Sequence, residues 1–159
     1  MTRKVLDNGV EWLCLILMTV LALDLMLGVF SRYVLFSTFT WYDEIARACF
    51  VWVVFLGGAV GVKRGAHFGL HLVIDMLSER ARRLATFATP LVIIAFSCVL
   101  VVQGYEFMEF GRFQQLPVMG ISKNWIYAAM PIGGLLMIIY SLQNLWRAVR
   151  ARYVPAAAV

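Results

Sequence analysis

Four apolar stretches, each long enough to cross a lipid bilayer, leave this chain few folds to choose from. The first covers 12–36 and is interrupted only by Asp24 and Arg32; the others cover 41–63, 84–107 and 125–146. A bilayer core about 30 Å thick is crossed by roughly 20 helical residues, whereas barrel strands alternate apolar and polar residues over ~10 positions. In lipid every backbone polar group needs a partner within the protein, so helices are the expected form. Composition agrees, with 62% of residues hydrophobic and 14% charged, against roughly 25% charged in soluble domains. The expected fold is all-α: a single four-helix transmembrane domain over 1–159.

The second stretch is the least regular. Its charge-free run, Ala48–Val62, is 15 residues long, about 22 Å of helix. A span over 41–63 must therefore carry Asp43, Glu44 and Arg47 into the membrane.

Basic residues set the expected orientation. Arg3 and Lys4 precede the first span, Lys63, Arg64, Arg80, Arg82 and Arg83 lie between the second and third, and Arg147, Arg150 and Arg152 follow the fourth. The positive-inside rule then puts both termini and the middle loop in the cytoplasm. The net charge of +5 is thus a topology signal, and no aromatic-interleaved basic patch suggests nucleic acid. The basic start is like that of a signal peptide. The apolar run after it is too long for one and lacks a small-x-small cleavage pattern, so a retained first span is expected. Cys14, Cys49 and Cys98 fall in three different apolar runs and read as buried fillers rather than a redox or zinc pair.

Between the second and third spans, His67, His71, Asp75 and Glu79 recur every four residues beside an apolar stripe. This predicts a short amphipathic helix over about 66–79, lying in the interface with its basic flanks among lipid headgroups. The stretch Gly111–Asn124 carries Gly and Pro and reads as a loop.

Ionisable groups inside spans cost about 2.5–3.5 kcal/mol on insertion scales and normally have partners. The depths of Asp24 and Arg47 differ by roughly 7 Å, within reach of a long Arg side chain, and Asp43 and Arg47 are i, i+4 neighbours in the favoured order. The expectation is a polar seam of Asp24, Arg32, Asp43, Glu44 and Arg47 in the outer leaflet, either joining the first two helices or meeting another protein. Gly57-x-x-x-Gly61 and Ala129-x-x-x-Gly133 allow close helix approach, internally or across an interface. No nucleotide loop, catalytic set or unwound half-helix pair is visible. A non-enzymatic, cofactor-free partner of something larger is the simplest reading. Two others stand beside it: a homodimeric proton-coupled exporter using Asp24, and a membrane redox or cytochrome subunit using His67 and His71.

The string WYDEIARACFVWVVFLGGAVGVKRGAHFG resembles the signature of the small, DctQ-like membrane subunit of tripartite ATP-independent periplasmic (TRAP) transporters. The resemblance rests on Trp41, Glu44, Arg47, Phe55-Leu56-Gly57, Arg64, Gly65 and His67. Further on, Leu116, Pro117, Trp125, Tyr127, Pro131 and Gly133 fit the family's later motif, while His71 stands where the family often has an acid. The resemblance implies a scaffold in the bacterial inner membrane. Its partners would be a large multi-span subunit carrying substrate and sodium sites, a periplasmic substrate-binding protein for organic acids, and membrane phospholipid. On this reading Arg32, Glu44 and Arg47 organise outer-leaflet contacts, and Lys63, Arg64 and His67 fix the cytoplasmic end of the second helix.

Overall fold

The computed structural model describes residues 2–36, 40–64 and 79–153. The chain forms α1 (Thr2–Tyr33), α2 (Trp41–Lys63), α3 (Glu79–Gly111), a single turn α4 (Asn124–Tyr127) and α5 (Ala129–Tyr153). Four segments are long and apolar enough to cross a membrane: Gly9–Tyr33, Trp41–Lys63, Ala88–Gly111 and Asn124–Arg147. The amphipathic helix expected over 66–79 lies, but for its last residue, outside the described residues, and His67 and His71 lie there too.

Helix ends and breaks have local causes. The α1 helix stops at Tyr33; Val34 still donates to Phe30 O at 2.9 Å, and Phe36 then turns into the left-handed region at φ 49°. The fourth span is interrupted at Ala128 because Pro131 has no N–H to offer the Tyr127 carbonyl four residues earlier. Hydrogen bonding continues on either side, from Ala128 N to Asn124 O at 2.9 Å and from Ile132 N to Ala128 O at 3.2 Å.

The four spans form an open row rather than a closed bundle. Along it the order is α1, α2, α5, α3: α2 packs between α1 and α5, and α5 packs between α2 and α3. Among the described residues α1 touches neither α3 nor α5, and α2 does not touch α3. Helix α5 is the most enclosed. Its Met137 and Tyr140 pack with Ala59 and Val62 of α2 on one side, and Ile93 and Leu100 of α3 lie against the same cluster.

Small residues set the close approaches in this row. A Cβ on Gly133 would come within 2.7 Å of Phe55 Cβ, so α5 and α2 meet almost backbone to backbone. On the other side, a Cβ on Gly104 of α3 would lie 2.8 Å from Met130 Cβ. Ala129 is wholly buried, so Ala129-x-x-x-Gly133 serves internal packing. Gly57 and Gly61 do not: a Cβ at either would meet nothing within 4 Å.

Polar side chains add point contacts. Ser141 Oγ donates to Pro90 O at 3.0 Å, joining α5 to α3 at the one proline within α3. Asn144 Nδ2 donates to Val62 O at 2.7 Å, tying α5 to the last turn of α2.

Gly133→Leu is expected to destabilise the chain by about 1–3 kcal/mol, the usual cost of forced overpacking, whereas Gly57→Leu leaves stability unchanged. Thermal unfolding of both variants in detergent reads this; equal losses would contradict the division of small residues between inner and outer faces.

Candidate functional site

The polar groups of the row gather at its two ends. At one end, α2 begins with Trp41 and the loop 112–123 returns over it. The loop is held as a small hairpin, with Leu116 N bonded to Ile121 O at 2.8 Å and Lys123 N to Gln114 O at 2.9 Å. Its tip depends on Gly120, whose φ of 65° is readily adopted only without a Cβ. Glu44 fastens this hairpin to α2. Its Oε1 accepts the Val118 amide at 2.9 Å and its Oε2 the Met119 amide at 3.0 Å. Charge-assisted bonds of this kind are stronger than neutral ones. Nearby, Trp52 Nε1 donates to Trp125 O at 3.2 Å, a second link between α2 and the start of the fourth span.

The remaining members of the expected outer seam are not joined to one another. Asp24 is buried at 6% exposure on the face of α1 that meets α2, and its Oδ2 has no hydrogen-bond partner among the described residues. Arg32, Asp43 and Arg47 are exposed. No ion pair links Asp43 with Arg47 or Asp24 with Arg47 among the described residues. The reason is rotational. Depth alone brings Asp24 within reach of Arg47, but Cys49, buried on α2, marks the packed side of that helix. Arg47, two residues before it, is turned from Cys49 by roughly 200° and is exposed. Around Asp24, α1 approaches α2 through small groups: Ser31 is buried, and Gly28 lies against the Tyr42 ring, 3.0 Å from where a Cβ would stand.

At the opposite end, Glu11 of α1 takes both bases that close α2. Its Oε1 lies 2.6 Å from Lys63 Nζ and its Oε2 lies 2.6 Å from an Arg64 terminal nitrogen. The carboxylate holds the Arg64 guanidinium above its ordinary pKa. These cations also sit where the helix dipole favours positive charge. Lys63 and Arg64 therefore act at this end as a pair; His67 lies outside the described residues. Sequence reading missed Glu11, although the signal was present. In two antiparallel neighbours the start of α1 and the end of α2 share a level, so a lone acid beside a Lys-Arg pair is a natural match.

Comparison with known proteins now bears on these contacts. Residues 21–151 match the family described as tripartite ATP-independent periplasmic transporters, DctQ component. The chain belongs to the DctQ family. It is similar to the sialic acid TRAP transporter small permease protein SiaQ of Vibrio cholerae, 27% identical over 94% of this chain and 87% of that one. It also resembles the C4-dicarboxylate TRAP transporter small permease protein DctQ of the same organism, 24% identical over 92% of this chain and 73% of the relative. A third relative, the sialic acid TRAP transporter permease protein SiaT of Haemophilus influenzae, is 28% identical over 88% of this chain but only 23% of its own length. This DctQ-family chain is thus a multi-pass bacterial inner-membrane protein and a non-catalytic transporter subunit, not an enzyme. Membership favours the subunit reading over the exporter and the cytochrome. The two stretches that carry the family resemblance, around Glu44 and around Leu116–Trp125, are those joined by the Glu44 and Trp52 hydrogen bonds.

Glu44→Ala is expected to release the hairpin, speeding hydrogen exchange at Val118 and Met119 and lowering stability by about 1–2 kcal/mol; unchanged exchange would refute the fastening. Glu11→Gln is expected to lower the thermal midpoint and to make it less sensitive to salt than in the parent chain, because a surface ion pair is screened. An identical salt response in both proteins would remove the ionic role.

Proposed function

We propose that this chain is the small permease subunit of a sodium-coupled, binding-protein-dependent secondary transporter for an organic acid, and that it works as a scaffold. The open row supports this most directly. In the apolar windows of the first three spans no more than 22% of residues are buried within the chain, so both broad faces of the row need lipid or another protein. A static partner of that shape enlarges and anchors a larger, moving subunit in the bilayer. Sialic acid and C4-dicarboxylates, in the names of the relatives, are both organic acids, which supports that solute class.

In this reading both termini and the 64–78 segment are cytoplasmic, as the basic residues favour. Glu11, Lys63 and Arg64 then secure the cytoplasmic end. Glu44 and its hairpin face the periplasm, where the binding protein delivers solute. Asp24 and Trp41 support the α1–α2 pair at its middle and outer end, Arg32 faces outward near the headgroups, and Asp43 stands beside the hairpin. The unfilled Gly57-x-x-x-Gly61 face of α2 offers a close seat for a helix of the large subunit.

Reconstitution tests the proposal. Proteoliposomes holding this chain, its large membrane partner and the binding protein should take up solute when a sodium gradient is imposed, and omission of this chain should abolish recovery of the complex or its uptake. Solute flux by the isolated chain would overturn the scaffold and favour the exporter.

A further inference from the structure

Beneath the hairpin lies a cavity of about 300 Å³, walled by α2, the loop and α4. Val51 and Ile126 give it an apolar side, and Arg47 and Lys123 both line it, with Asp43 and Glu44. Neither acid is ion-paired with either cation among the described residues. Both oxygens of Glu44 are engaged by the Val118 and Met119 amides, and Asp43 forms no ion pair with Arg47 among the described residues. Lys123 Nζ has a neutral acceptor, Gln114 Oε1, at 3.3 Å. Arg47 has no hydrogen-bond or ionic partner among the described residues, yet it stands six positions inside the first residue of α2, about 9 Å along the helix.

A guanidinium at that depth normally lines a polar cavity and takes a partner there. Two cations on one small cavity suit a tetrahedral oxyanion, because the planar Arg fork can give two parallel bonds while Lys adds a point charge. The apolar side suits an ester carbon next to that oxyanion. We propose that the cavity binds a phosphate group, with Arg47 and Lys123 as its cationic ligands, and that in the membrane this phosphate belongs to a phospholipid headgroup whose glycerol end lies against Val51 and Ile126. The site goes beyond the scaffold reading, since it concerns no transported solute and no partner chain.

Native mass spectrometry of the full-length chain, stripped of lipid in detergent, tests this. Phosphatidylethanolamine is added in one arm and a diacylglycerol with the same acyl chains, which lacks phosphate, in another. One phosphatidylethanolamine should be retained and the diacylglycerol should not. Arg47→Gln and Lys123→Gln should each lower retention about tenfold, as loss of a hydrogen bond to a charged group implies. Arg112→Gln, whose guanidinium pairs with Glu109 at 3.2 Å and does not line the cavity, should leave retention unchanged. A third arm adds millimolar inorganic phosphate: displacement of lipid would identify a site that also takes free phosphate, and no displacement would assign it to lipid, each upholding phosphate recognition. Should Arg47→Gln fail to fold, shown by its thermal profile, Lys123→Gln carries the comparison. Equal retention of diacylglycerol, or undiminished phosphatidylethanolamine binding by a folded Lys123→Gln chain, would overturn the site.

Discussion

Inside hydrocarbon an apolar side chain gains little by exchanging lipid for protein, so greasiness alone cannot decide which helices touch. Close approach and polar contacts decide it here. Gly133 brings α5 against Phe55 of α2, Gly104 brings α3 against Met130, and Ser141 and Asn144 fix the rotation of α5 by reaching carbonyls on α3 and α2. The α1 helix has the slenderest hold. Among the described residues it meets only α2, through the small groups Gly28 and Ser31 and through Glu11 at one end. An open row follows, because no second set of small residues draws α1 toward α3 and closes the ring.

A row of this kind suits a subunit that serves another protein. A closed bundle buries its inner face and shows lipid only its outer one; a row shows two broad faces, and one can be given to a partner while the other stays in lipid. The polar ends keep the row aligned without placing charges on those faces. At one end a carboxylate from α1 holds the bases that finish α2, and at the other a carboxylate from α2 holds the hairpin before α4. The DctQ-family match gives this architecture its setting among transporter subunits.

Much of this was legible beforehand, and the reasons for what was not are physical. Apolar block length marked the four spans, because the bilayer imposes one length on all of them. The lateral order of helices was not legible, because it depends on rotation about each axis, and depth matching contains no rotational information. Asp24 and Arg47 illustrate the failure: close enough in depth to pair, one is buried between α1 and α2 while the other is exposed. Glu44 was singled out as an intramembrane charge, but its partners are backbone amides 74 and 75 residues away, and backbone donors have no sequence signature. Gly57 and Gly61 could be read either way from sequence; only the packed structure shows that their face is empty.

The open row is the claim on which the rest stands, and a distance across it is the most direct test. Spin labels placed at mid-membrane positions of α1 and α3, in a background without the native cysteines, would be measured by pulsed electron resonance in lipid nanodiscs. Neighbouring helices pack about 8–10 Å apart, so the two ends of a four-membered row should lie beyond about 20 Å. A single distance near 10 Å, with α1 lying against α3, would mean a closed bundle and would contradict this account.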